Sequence, residues 1–69
     1  MKIDEIKLRV EGIDACKGDP EHAHVLEDKL HQDVLQAIAD GDLFPFHTPA
    51  ECAKAALSTS RIRFDRWYA

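Results

Sequence analysis

Polar and apolar residues alternate strictly from Glu5 to Glu11, with Ile6, Leu8 and Val10 on one side and Lys7 and Arg9 on the other. A period of two is the pattern of a half-buried strand, so this stretch predicts one. Gly12 to Gly18 reads as a loop. From Asp19 the period changes: Ala23, Leu26, Leu30, Val34, Ala37 and Ile38 recur at helical spacing up to Gly41, which has the character of a helix stop. A second helix begins at Thr48, and its alanines at 50, 53, 55 and 56, with Cys52 and Leu57, allow close packing against the first helix. Ser58-Thr59-Ser60 ends it. Arg61 to Asp65 alternates again and predicts a second short strand, although Phe64, Trp67 and Tyr68 are also spaced for a helical turn.

Both helix starts are marked chemically. Asp19-Pro20 and Thr48-Pro49 each place an oxygen-bearing cap before a proline, whose missing N–H removes a donor that has no partner in a first turn. Glu51, three residues after Thr48, completes the pattern of a capping box. Between the helices, Asp42 to His47 sets Leu43, Phe44 and Phe46 around Pro45, a turn apolar enough to plug one end of a core.

The expected order is therefore β-α-α-β, an α+β fold in which a helical hairpin packs on a short antiparallel sheet, all within one domain spanning 1–69. Two strands alone are marginal in water and leave both edges open. Pairing of two copies into a four-stranded sheet would close an edge, so the pattern predicts a homodimer. Ile62, Phe64, Trp67 and Tyr68, with Arg61 and Arg63, are the candidate interaction residues. The outer sheet face would carry Lys7, Arg9, Arg61 and Arg63, a candidate surface for nucleic acid phosphates.

Composition qualifies that picture. The chain has 69 residues and a net charge of −4. Residues 12–47 hold two lysines against eight carboxylates, whereas residues from 48 onward hold four cations against two carboxylates. An acidic middle opposes nucleic acid, and the basic positions lack interleaved aromatic rings to stack bases. Cys16 and Cys52 are too few and too far apart for a disulfide framework and read as reduced thiols. The charged start Met1-Lys2-Ile3-Asp4-Glu5 has no apolar signal region and no stretch has the length of a membrane span, which makes the cytoplasm the expected location.

Four histidines raise the question of metal. His24, Asp28 and His31 fall at i, i+4 and i+7 on one helix face, but the outer two lie about 10.5 Å apart along the axis. Either neighbouring pair would supply two ligands, with Cys16, His22 or a second subunit needed to complete a site. The competing reading has the same histidines beside carboxylates at the helix-helix seam. Cys16 near His22 has a thiol and a base without an orienting third group. Cys52 reads as a small buried side chain among alanines. No His-Glu-x-x-His, phosphate loop or serine elbow occurs, so the chain reads as having no catalytic residues and no cofactor.

Leu26-Glu27-Asp28-Lys29-Leu30, the helix end Ala37-Ile38-Ala39-Asp40-Gly41 and the closing Ile62-Arg63-Phe64-Asp65-Arg66-Trp67-Tyr68-Ala69 resemble short proteins of bacteria and their phages or mobile elements. The resemblance covers about two thirds of the chain and implies an accessory protein without a specified activity. Together these observations point to a small non-catalytic protein-interaction module.

Overall fold

The first thirteen residues carry two periodicities at once. Ile6, Leu8 and Val10 alternate, but Ile3, Ile6, Val10 and Ile13 also recur at i, i+3, i+7 and i+10, and in the structure the second pattern prevails. In a computed structural model, which describes residues 1–42 and 48–66, helix α1 spans Ile3–Ala15. Ile6 and Ile13 are fully buried, whereas Leu8 is 68% exposed. The predicted strand over 5–11 and the loop beginning at Gly12 are thus corrected: Gly12 lies inside α1. A helix satisfies its own backbone groups, while a strand here would need a partner. Asp4 and Glu5 in the first turn also suit the positive end of the helix dipole.

Helix α2, Pro20–Asp40, follows a tight link at residues 16–19, where the Asp19 N–H donates to the Cys16 carbonyl at 2.8 Å. Both ends of α2 form as the sequence indicates. The Asp19 carboxylate accepts from the His22 amide, Pro20 takes the first helical position, and Gly41 closes the helix in the left-handed region with φ of 69°. Helix α3, Pro49–Leu57, opens with the complete Thr48/Glu51 capping box. A 3₁₀ turn, Ser58–Arg61, continues it.

The three helices enclose one core of Ile6, Ile13, Ala23, Leu30, Val34, Cys52, Ala56 and Ile62, with Val10, Leu26, Ile38, Ala55 and Phe64 packed around it. The small side chains of Ala23, Cys52 and Ala56 let the helices approach closely, which compensates for the few large apolar residues available in so short a chain. There is no strand among the described residues, and the fold is all-α rather than α+β. The second predicted strand is replaced by the 3₁₀ turn and a single extended run. Its alternation survives in part: Ile62 is buried and Phe64 half-buried, while Arg61, Arg63 and Asp65 are exposed. Without a ladder, the edge-to-edge route to a dimer and the basic sheet face both disappear. The aromatic turn at 43–47 and the expected anchors Trp67 and Tyr68 lie outside the described residues.

Candidate functional site

Two neighbouring features meet along α2, one buried and polar, the other open and apolar. The buried one begins with Glu27, which occupies a core position on α2 in the series Ala23, Glu27, Leu30, Val34, Ala37 and is only 6% exposed. A carboxylate in that position requires a paired donor. Arg66 supplies it through Nε to Oε1 at 2.8 Å and Nη2 to Oε2 at 3.0 Å, the parallel fork geometry that favours arginine. The guanidinium also reaches the carbonyls of Thr59, Ile62 and Phe64 at 2.8, 3.1 and 3.3 Å, and lies 3.8 Å from the Phe64 ring centroid. The Ile62 and Phe64 carbonyls, which the expected strand would have offered to a ladder, are met instead by one side chain.

Arg66 holds the Glu27 carboxyl below its ordinary value; burial opposes the shift, and the hydroxyl of Thr59 reinforces it. The Arg66 guanidinium is correspondingly raised by its bonds to Glu27. Thr59, fully buried, links this clasp to His31. His31 Nε2 lies 3.2 Å from both the Ala56 carbonyl and Thr59 Oγ1. Because a carbonyl can only accept, Nε2 carries the hydrogen in this arrangement. The sequence reading missed Glu27, Thr59 and Arg66 as a unit, although a glutamate within an apolar helical stripe was a usable signal.

The proposed metal ligands do not assemble into one site. His22 is exposed at the start of α2, His24 Nε2 faces Asp28 at 3.3 Å, and His31 directs Nε2 to α3. No group of three or more His, Cys, Asp or Glu residues able to hold a metal ion occurs among the described residues. Cys16 and His22 do line one shallow depression with Asp19 at the α1–α2 link. There the Asp19 carboxylate is engaged by the His22 amide as the helix cap. Both cysteines are free thiols, Cys52 buried and Cys16 half-buried.

The former basic face is dispersed. Arg9 bonds Asp33 at 2.9 Å from α1, Lys7 is exposed on α1, and Arg61 and Arg63 border a separate depression with Pro20 and Phe64. Among the expected interaction residues, Ile62 is a core residue and Phe64, half-buried, lies under the Arg66 guanidinium.

The open feature is a groove of about 230 Å³ between α2 and α3, lined by His31, Val34, Leu35, Ile38, Ala53, Ala56 and Leu57. His31 sits at its edge as the sole titratable lining residue; the rest are aliphatic. Leu35 and Leu57 flank it at 67% and 61% exposure. Scattered exposed leucines are ordinary, but these two adjoin one continuous apolar surface. No helix among the described residues is long and apolar enough to cross a membrane. No protein-family model matches the chain, and no curated protein or solved structure matches it.

Proposed function

We propose that this chain is a small non-catalytic accessory module of the cytoplasm that acts by presenting the α2/α3 face to the helix of a protein partner. The observation that carries this reading is the juxtaposition of Leu35 and Leu57 across the apolar groove. A partner helix would place its apolar side chains between those leucines, desolvating a surface that the isolated chain leaves in water. The His31 contacts tie α2 to the end of α3 beneath this face, and the Glu27–Arg66 clasp ties α2 to the segment that follows the 3₁₀ turn. They support the surface and have no assigned chemical turnover.

The test is site-specific photocrosslinking in the host cell from a photoreactive amino acid at position 53. The expected result is a protein adduct that disappears when Leu35→Gln and Leu57→Gln are combined, with folding of the doubly substituted chain verified by circular dichroism. An absent adduct, or one indifferent to both substitutions, refutes the reading of this face.

A further inference from the structure

We propose that the partner seated on the α2/α3 face is a second copy of this chain, related by a two-fold axis lying along the groove, so that α2 of each copy crosses over α3 of the other. This rests on the interaction reading above and specifies its occupant. Helical spacing places Asp28, Gln32, Leu35 and Ala39 along the outer side of α2, all exposed. On α3, Ala50, Lys54 and Leu57 form the corresponding outer strip, with Ala53 beside them, and Arg61 follows in the 3₁₀ turn. Each strip has one leucine, small residues that permit close helix approach, and charge toward its margin.

The charges of the two strips are opposite. The α2 strip carries the Asp28 carboxylate, exposed beside His24, and no cation, whereas the α3 strip carries Lys54 and is followed by Arg61, both exposed. A face divided in this way can be self-complementary, which a two-fold dimer requires. The helices run antiparallel: His31, in the middle of α2, meets Ala56 and Thr59 at the end of α3, and Glu27, one turn earlier, is tied through Arg66 to the carbonyls of Thr59 and Ile62 beyond it. An axis along the groove therefore brings each Leu35 toward Leu57 of the other copy and sets Asp28 near the end bearing Arg61. An axis across the groove would instead stack α2 on α2 and α3 on α3, which sets the Lys54 and Arg61 strips against each other and leaves Asp28 without either cation. Charge selects the first arrangement.

The size of the face also defines what kind of dimer forms. Thirteen residues from Pro49 to Arg61 extend about 20 Å, and a two-helix face of that length offers roughly 400–600 Å² per copy, less than the ~800 Å² of a standard interface. Association is accordingly weak and concentration-dependent, in the micromolar range, with the monomer folded by its own core. This differs from the strand-paired dimer expected from the alternating segments because the residues it uses lie on the outer surfaces of helices, all exposed in the single chain except the half-buried Ala53.

Sedimentation velocity of the purified full chain, from low micromolar to submillimolar concentration, reads self-association directly. The expected result is reversible dimerisation, weakened by about tenfold or more on Leu35→Gln or Leu57→Gln while thermal unfolding is unchanged. Orientation is read by mixing Leu35→Cys and Leu57→Cys variants in a Cys16→Ser background under oxidising conditions. Preferential 35–57 cross-links support the axis along the groove, whereas predominant 35–35 and 57–57 cross-links overturn it. A monomer at every concentration overturns self-association. In that case a groove-dependent photo-adduct with a different protein preserves the interaction reading, and its absence removes both.

Discussion

Arg66 reaches back across 39 sequence positions to hold both carboxylate oxygens of Glu27, at 2.8 and 3.0 Å. The pair ties the extended segment after the 3₁₀ turn to the middle of α2. Its contribution is asymmetric: the carboxylate is almost completely enclosed, whereas the arginine side chain remains 33% exposed. Removing the exposed cation therefore does greater damage than its own position suggests.

Arg66→Met strands the Glu27 charge in the core and is expected to destabilise the fold by about 3 kcal/mol, at the lower end for a broken buried pair because Arg66 itself is partly hydrated. Combining it with Glu27→Leu removes both charges and should return stability to within about 1 kcal/mol of the unmodified chain. Urea midpoints for the two single variants and the double variant give the coupling. Additive losses would show that the pair is not an energetic unit.

The depressed Glu27 pKa makes the same clasp sensitive to acid. A carboxyl whose folded-state pKa is lowered contributes its full stabilisation above the ordinary glutamate value of about 4.3 and loses it as pH falls through the depressed folded value. The stability gap between the unmodified chain and Arg66→Met should consequently narrow as pH falls, because Glu27 without its cation takes up a proton in the folded variant before it does so in the unmodified chain, and should level off once it is protonated in both. Asp33 has a lowered pKa in the same sense, first through Lys29 and then through Arg9, but on the surface. Salt should weaken the Asp33 effect and leave most of the Glu27 effect. Urea titrations between pH 7 and pH 2 at low and high ionic strength separate the two carboxylates.

The helix caps offer an independent comparison. Thr48 accepts from the Glu51 amide at 3.1 Å and Glu51 returns a 2.9 Å contact to the Thr48 amide, whereas Asp19 accepts from the His22 amide at 3.3 Å. Thr48→Ala should cost about 1 kcal/mol and Asp19→Ala somewhat less, because only the former breaks a reciprocal box. Denaturant midpoints test the order. Equal or absent effects would argue against the distinction in cap geometry.

These caps explain why α2 and α3 were legible while α1 was not. Asp19, Gly41, Thr48 and Glu51 act through local backbone chemistry, which a sequence displays directly. Lys2, by contrast, precedes α1 without a side-chain cap bond. The Glu5–Glu11 alternation and Gly12 then obscured the longer Ile3–Ile6–Val10–Ile13 spacing, although burial of Ile6 and Ile13 decides the fold. The tail was legible at the level of alternation: Ile62 and Phe64 turn inward, but no strand pairs with them among the described residues. Its real partner interaction, Arg66 with Glu27, depends on tertiary proximity that local periodicity does not encode. The groove was similarly hidden, since the small residues of α3 were expected to pack inward whereas Ala50 and Leu57 are exposed.

Glycine substitutions provide a direct test of the revised first element. Gly12 lies in the interior of α1, and an added Cβ there meets no heavy atom within 4 Å. Gly12→Ala should therefore stabilise the protein by about 0.5–1 kcal/mol through helix propensity and a more restricted unfolded chain. Gly41 also has space for a Cβ, but its φ of 69° makes an L side chain unfavourable, so Gly41→Ala should destabilise by about 1 kcal/mol. The opposite signs distinguish backbone conformation from simple available volume. Thermal and urea unfolding of the two variants would measure them, with intact helical circular dichroism as the control. A loss of stability in Gly12→Ala would contradict α1 as an unstrained helix through this position and restore the case for a chain break after Glu11.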